Sequence, residues 1–382
     1  MNRRRKLPIG GVQTFSKLRK EYDVYVDKTM HIYEIASRYE TVFLARPRRF
    51  GKSLMCSTIA SLFRAEKDLF DGLAIANTDW EWKPHPVIHL DLGSGNYTDN
   101  GVGKLIDTLN TQLDNVCHDY GIPVENSANI ANRFDRIITE LSNKSDGVVV
   151  LVDEYDNPLM NTVSQPELNA KLREELKGFY SVMKKNGKYL RFAFITGVTK
   201  FAQISMFSGM NQPKDISMMP EYCDVCGITQ DELEKYFAPE IDAYAPKHGG
   251  RESYLNRLKD FYNGYFFTER KLSVYNTYGI LNHFDEDAEF VSYLSTNETS
   301  SYVQDILKIK DINSVEIENS MMTLYDFCYS KDNTVALIPF LYNTGYLTIS
   351  DYKNLTDYVS YFVMNFPNVE VRRAFAELVE KI

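Results

Sequence analysis

Thr41-Val42-Phe43-Leu44-Ala45-Arg46-Pro47-Arg48-Arg49-Phe50-Gly51-Lys52-Ser53 is the stretch on which the fold turns. Thr41 to Ala45 reads as a short apolar strand. A turn rich in Arg and Pro follows, and from Gly51 to Phe63 the apolar spacing becomes helical. Strand, loop, then Gly-Lys-Ser at the start of a helix is an arrangement suited to a phosphate chain. The helix N-terminus presents unpaired N–H groups and the positive end of a dipole. Gly51 lets backbone approach an anion, Lys52 can neutralise β- and γ-phosphate charge, and the Ser53 hydroxyl can ligate Mg²⁺. The full pattern has a glycine five residues before Gly51, where this chain has Arg46. The competing reading is an ordinary strand–helix turn with an incidental Gly-Lys-Ser. The flanking elements and a second site downstream count against it.

That second site is a carboxylate pair. Gly147 opens the strongest buried-strand signal in the chain, Val148-Val149-Val150-Leu151-Val152, which ends abruptly in Asp153-Glu154. A phosphate loop needs a carboxylate at the end of a buried strand to hold Mg²⁺, and ligands bind open α/β sheets at that edge. Asp153 is the candidate on the Mg²⁺ side. Glu154 is the candidate base that orients an attacking water. A third buried strand, Leu190 to Ile195, ends at Thr196-Gly197. Thr196 could sense a γ-phosphate; a Thr completing a strand before a turn is the plainer alternative. Lys200, Arg48 and Arg49 are candidates for the extra positive charge that phosphoryl transfer uses, against the plainer role of solvated or structural bases.

Composition limits the alternatives. The chain has 382 residues, 44% hydrophobic and 25% charged, the range of ordinary globular proteins. Its 26 Tyr and 22 Phe argue for packed cores and against long disorder. A net charge of −9 supplies no global attraction to nucleic acid or acidic membranes. Local basic patches stand at Arg3-Arg4-Arg5-Lys6 and in the Arg46–Arg49 run. No segment has the length of an apolar membrane span, and no signal-peptide stretch follows the basic N-terminus. Five scattered cysteines fit a reducing compartment, so a cytoplasmic location is expected. Cys223 and Cys226 form one C-x-x-C pair without a second pair to complete a zinc site, and read as core or loop thiols.

Strands alternate with helices over the first part of the chain. Val24 to Val26 reads as a short strand, Met30 to Tyr39 as a helix and Val87 to Leu92 as a strand. Helices are expected over about 101–120, 128–142 and 166–184. This order gives an α/β fold with a mainly parallel sheet flanked by helices, and the Gly51-Lys52-Ser53 loop with the strand-end Asp153-Glu154 pair makes it one of P-loop NTPase type. The pattern changes near residue 220. Thr229-Gln230-Asp231-Glu232 is a capping box opening a helix, and the remainder mixes short helices with strands such as Phe261 to Phe267 and Gly345 to Ile349.

The sequence resembles the AAA-ATPase-like family of bacterial P-loop proteins. The resemblance runs through Leu7-Pro8-Ile9-Gly10, Tyr25-Val26-Asp27-Lys28-Thr29, the string Arg46 to Leu54, and Leu151-Val152-Asp153-Glu154-Tyr155-Asp156. It continues through Thr196 to Phe201, Phe207-Ser208-Gly209, Cys226-Gly227-Ile228-Thr229, Tyr262-Asn263-Gly264-Tyr265, Val274-Tyr275-Asn276 and Thr344-Gly345-Tyr346-Leu347. In this family Arg is the usual residue where other P-loops carry their first Gly. The resemblance implies that Asp27 and Lys28 lie near the adenine and ribose, and that the Thr196 strand runs between the two motif strands. Members are often fused to a C-terminal nuclease-like domain of the PD-(D/E)xK type. This chain ends about where that region would begin, so nuclease activity is not expected of these residues.

The expectations are therefore specific. Residues 1–228 form a nucleotide-binding domain and 229–382 a mostly helical C-terminal region, lid-like or winged-helix-like. Arg46, Pro47, Arg48, Arg49, Phe50, Gly51, Lys52, Ser53, Leu54, Asp27 and Lys28 contact ATP. Ser53 and Asp153 hold Mg²⁺, and Glu154, Lys52 and Thr196 serve Mg-dependent hydrolysis coupled to conformational change. The alternative is a regulatory or nucleic-acid-associated module that binds nucleotide with little hydrolysis. A protein or nucleic-acid partner is left open; a membrane is not expected.

Overall fold

The computed structural model describes residues 5–123, 125, 127, 129–200, 207, 213–294, 303–304, 306–308, 317–327, 336–356 and 359–380. In chain order the helices and strands are α1 (Phe15–Glu21), α2 (Thr29–Arg38), β1 (Thr41–Ala45), α3 (Lys52–Phe63), β2 (Val87–Asp91), α4 (Gly101–Tyr120), α5 (Ile130–Ser142), β3 (Val148–Asp153), α6 (Asn157–Asn161), α7 (Pro166–Lys185), β4 (Leu190–Gly197) and β5 (Lys214–Asp215). They continue with α8 (Gln230–Tyr236), α9 (Ala238–Tyr244), α10 (Arg251–Tyr262), α11 (Thr277–Asp285), β6 (Ser320–Met322), α12 (Leu337–Asn343), β7 (Thr348–Thr356), β8 (Val359–Asn365) and α13 (Val369–Val379). The chain divides into two compact units. One comprises residues 29–45 and 55–216; the other comprises 1–28, 46–54 and 217–382.

The unit of residues 29–45 and 55–216 is built on a five-stranded sheet, all parallel, in the order β2-β3-β4-β1-β5. β1, β3 and β4 are buried on both faces over most of their length, which explains why they read as continuous apolar runs rather than alternating ones. Phe43, Ile88, Leu90, Val148, Val150, Val152, Ala193 and Ile195 share one core with α4, α5 and α7. The register explains the choice, because residues two apart on a strand face the same side. In α5 the buried set Ile130, Phe134, Ile137, Ile138 and Leu141 repeats at helical spacing. Phe134 stacks on Phe179 of α7 at 4.4 Å between centroids; each such ring contributes roughly 2–3 kcal/mol by leaving water. On the opposite face Phe63, at the end of α3, stacks on Phe192 of β4 at 5.2 Å. The strand order places β4, which carries Thr196, between β3 and β1, as the family resemblance implies.

The other unit gathers α8 to α11 around Leu233, Phe237, Ile241, Tyr254, Leu258, Phe261, Tyr262, Ile280 and Phe284, with Leu7 and Val24 contributed from the N-terminal segment. The capping box is formed: the Thr229 hydroxyl accepts the Glu232 N–H, and Glu232 accepts the Thr229 N–H. A three-stranded antiparallel sheet, β6-β8-β7, lies in the same unit. Two expected strands are absent. Val24 to Val26 has no strand pairing; Val24 instead packs into the helical core. The segment Phe261–Phe267 ends α10 at Tyr262, and beyond it only Tyr265 makes a single bridge, to Val274. Gly264 interrupts any ladder there, with φ of +91° and the Pro367 carbonyl against its Cα.

Candidate functional site

The loop between β1 and α3 is held by its own unit. Gly51 has φ of +96°, and nothing lies within 4 Å of where a Cβ would be. The backbone there is one that side chains rarely adopt, which accounts for the glycine. Lys52 opens the 12-residue helix α3 and is 5% exposed; its ammonium donates to the Pro47 carbonyl at 3.0 Å. Ser53 and Leu54 follow in the first turn, both half-buried. The first turn of a helix is where backbone N–H groups point outward, the property that binds anions.

Arg46 explains why this loop does without its first glycine. Its φ is not in the left-handed region, so the backbone there accepts a side chain. That side chain is 1% exposed and donates to the carbonyls of Ser217 at 2.6 Å and Tyr222 at 3.0 Å, with its guanidinium 4.1 Å from the Phe267 ring centre. Arg46 is therefore an anchor for the loop. Pro47 lies against Gly345, where a Cβ would come within 2.9 Å of the ring. Arg48 is half-buried. Arg49 has φ of +71°, donates to the Tyr293 carbonyl at 3.0 Å and lies 3.9 Å over the Tyr278 ring; burial pushes its pKa down. Phe50 sets its ring edge-on against Tyr265 and Phe267, and its carbonyl accepts the Gly227 N–H at 3.0 Å. Lys28 directs its ammonium to both carboxylate oxygens of Glu232, at 2.6 and 2.7 Å, and the Asp27 N–H donates to the Tyr236 hydroxyl at 3.4 Å.

Sequence reasoning left the supports of this loop unassigned: Ser217, Tyr222, Gly227, Tyr265, Phe267, Tyr278, Tyr293 and Gly345. A signal existed for some of them. The family blocks at 226–229, 262–265 and 344–347 contain Gly227, Tyr265 and Gly345, the residues packed on Phe50 and Pro47.

The carboxylates belong to the sheet unit. Asp153 ends β3, is 3% exposed, and accepts the Glu154 N–H on Oδ1 at 3.0 Å. Glu154 takes φ of +50°, unusual for a residue with a side chain. Its carboxylate lies over Gly93: a Cβ there would be 2.6 Å from Glu154 Oε2 and 3.0 Å from Asp91 Oδ1. Asp91 ends β2 in register with Asp153. Tyr97 sits close by, and burial, helped by the charges of Asp91 and Glu154, pushes its phenol up to about 12.

The next two residues lock the strand ends together. Tyr155 donates its N–H to the Thr196 carbonyl at 3.0 Å and its hydroxyl to the Thr199 carbonyl at 2.9 Å. Asp156, 1% exposed, accepts the N–H groups of Val198 and Thr199 and the Thr199 hydroxyl. A Cβ on Gly197 would meet Asp156 Oδ1 and the Tyr155 ring at 2.4 Å each, so the β4 end needs glycine for space. The Thr196 hydroxyl donates to the Leu44 carbonyl of β1 at 2.8 Å. Lys200, 3% exposed, pairs with Asp215 at 2.9 Å.

Chemically, the loop can take an anion, and Glu154 can take a proton from a water. Ser53 and Asp153 are oxygen donors of the kind a hard cation such as Mg²⁺ prefers. Among the described residues no group of three or more His, Cys, Asp and Glu is arranged to hold a metal by itself. Cys56, Cys117, Cys223 and Cys226 are buried and form no disulfide. No helix among the described residues is long and apolar enough to cross a membrane.

The family model described as "Predicted AAA-ATPase" matches residues 8–207. The chain is also 34% identical, over 384 residues, to a protein of Azotobacter chroococcum mcd 1 described as an uncharacterized protein in the vnfD 5′ region; the match covers 98% of this chain and 70% of that protein. By these two matches the chain belongs to the predicted AAA-ATPase family.

Proposed function

We propose that the protein binds ATP through residues 46–54 and hydrolyses it in the presence of Mg²⁺. The observation that carries the reading is the strand order β3-β4-β1. It sets the strand that leads to the carboxylate pair and the strand that leads into the loop to Lys52 on either side of the strand that carries Thr196. In this reading Lys52 and the first turn of α3 neutralise the phosphates, and Ser53 and Asp153 hold the cation. Mg²⁺, when bound, supplies charge neutralisation of the phosphate oxygens. Glu154 orients a water and takes its proton. Thr196 senses the γ-phosphate, which requires its hydroxyl to be shared with or released from Leu44. Arg46, Arg49 and Phe50 shape the loop. Asp27 and Lys28 flank the nucleotide base. Residues 1–228 serve as the nucleotide-binding domain and 229–382 as the region that responds to nucleotide state. The cytoplasm, which supplies ATP and keeps thiols reduced, is the compartment this activity requires.

The test is a pair of variants in the full chain. Lys52→Ala should weaken ATP binding at least about tenfold. Glu154→Gln should keep binding and lose turnover. Equal phosphate release from Glu154→Gln and the parent protein removes Glu154 from the mechanism.

A second reading, nucleotide binding with little hydrolysis, is favoured by where the cations go. Arg46, Arg49, Lys28 and Lys200 are each engaged by carbonyl or carboxylate oxygens of the protein. On this reading, fast turnover waits for positive charge from another molecule. Phosphate release measured alone, with DNA or RNA, and at rising protein concentration separates the two.

A further inference from the structure

Glu370 has no part in the nucleotide chemistry above, yet it is one of the most deeply placed charged groups of its unit, 1% exposed at the start of α13. Its Oε1 accepts the Tyr293 N–H at 2.7 Å. Its Oε2 has no hydrogen-bond partner among the described residues and lies beside Gly279 of α11, 3.7 Å from where a Cβ would be. Burying a carboxylate this way is costly, and the one hydrogen bond it makes is therefore worth following.

What depends on it is one residue away. The carbonyl of the same Tyr293 accepts the Arg49 guanidinium at 3.0 Å, and Arg49 is the residue in left-handed conformation that turns the loop toward Gly51. The Tyr293 N–H is thus fixed by α13 and its C=O fixes the loop. Arg49 has little freedom to choose otherwise, since its guanidinium is also packed on Tyr278. The charges are matched as well. Burial pushes the Glu370 carboxyl up to about 7 and the Arg49 guanidinium down, and each charge partly reverses the shift of the other.

We propose that Glu370 is a positioning residue for the phosphate loop: through Tyr293 it ties α13 to Arg49, so that displacing α13 loosens residues 46–52 and lowers nucleotide affinity. The proposal rests on the reading of 46–54 as the nucleotide loop. It names α13 as the element through which a conformational signal in this unit reaches that loop. Coupling of this kind is reciprocal, so a change at the loop must be felt at α13.

The test is hydrogen exchange of the full chain, read by mass spectrometry, with ATP affinity measured on the same proteins. Arg49→Ala should raise exchange in the peptide spanning 369–379 several-fold, whereas Lys52→Ala, which leaves the Arg49–Tyr293–Glu370 path intact, should not. Glu370→Leu should weaken ATP binding about tenfold, the loss expected of one buried hydrogen bond, and Glu370→Gln, which still accepts from Tyr293, should restore it. Unchanged exchange at 369–379 in Arg49→Ala overturns the proposal, as does parental ATP affinity in Glu370→Leu. If Glu370→Leu fails to fold, the exchange comparison of the two loop variants still decides. If the parent protein binds no ATP, the nucleotide reading falls, while exchange at 369–379 still reports whether the Arg49–Glu370 tie exists.

Discussion

The backbone N–H and the hydroxyl of Thr199 both donate to one oxygen of Asp156, Oδ2, at 2.6 and 2.5 Å. Val198 adds its own N–H to the same carboxylate. Asp156 thereby holds the turn after β4 against the end of β3, and the whole arrangement is buried. Removing the acceptor strands several donors at once. Asp156→Ala should lower unfolding stability by about 3–5 kcal/mol, the range for breaking a buried charged hydrogen-bond set. Asp156→Asn keeps one acceptor oxygen and should lose about half as much. Urea unfolding of the two variants checks the order; equal stability of all three proteins would show that water or rearrangement replaces the carboxylate.

Gly93 tests the placement of Glu154. Its backbone is unstrained, but a methyl group there would lie 2.6 Å from Glu154 Oε2. The atoms met are the far end of the Glu154 side chain, which gives way more readily than backbone. Gly93→Ala should therefore displace that carboxylate by about 1 Å and cut turnover by up to roughly a hundredfold, the sensitivity expected of a positioned catalytic group. ATP affinity and stability should change little. Steady-state hydrolysis beside equilibrium ATP binding makes the distinction, and unaltered turnover would place the reacting water away from this carboxylate.

Gly51 presents the opposite case, with open space around its Cα and a backbone that side chains rarely adopt. Gly51→Ala should cost about 1–2 kcal/mol of strain. The strain is relieved by moving the loop, so ATP affinity should fall while the sheet unit keeps its stability. Calorimetric ATP titration and thermal unfolding report the two quantities separately.

Much of the architecture was legible because it is local. Val148–Val152 and Leu190–Ile195 are long apolar runs that end abruptly in polar residues, and both are strands. The capping box at Thr229 and the helical spacing in Ile130–Leu141 are equally local. The Val24–Val26 and Phe261–Phe267 segments have β-prone composition, but composition does not supply a pairing partner. Tertiary packing took Val24 into a helical core, and the Pro367 carbonyl closed over Gly264. The candidate site divides the same way. That Lys52 would start a helix and Asp153 end a strand follows from neighbouring residues. That Arg46 reaches Ser217 and Tyr222, or that Arg49 and Glu370 meet at Tyr293, is a choice between partners far apart in sequence, which no local pattern records.

Two buried titrating groups in the same unit should give the stability an unusual pH dependence. Burial raises Glu370 from the ordinary 4.5 to about 7 and lowers His283 from 6.5 to about 4. Burial keeps His283 neutral: its Nδ1–H faces the Glu289 carbonyl at 3.0 Å, a bond that works against the shift, and its Nε2 faces the Tyr254 hydroxyl at 2.8 Å. For Glu370 the folded state keeps a proton that the unfolded chain has lost, so its contribution is full below 4.5 and is lost as pH rises to about 7. For His283 the unfolded chain takes up a proton that the folded state refuses, so its contribution is full above 6.5 and is lost as pH falls to about 4. Each is worth at most roughly 3–4 kcal/mol. The slopes oppose between 4.5 and 6.5, and the parent protein should show a shallow profile there. Glu370→Gln removes one slope and exposes the other: its stability should fall steadily as pH drops from 6.5 to 5 and stay level from 7 to 8. Urea unfolding at pH 5, 6, 7 and 8 checks this, and parallel profiles for the two proteins would mean that Glu370 titrates alike in the folded and unfolded chain.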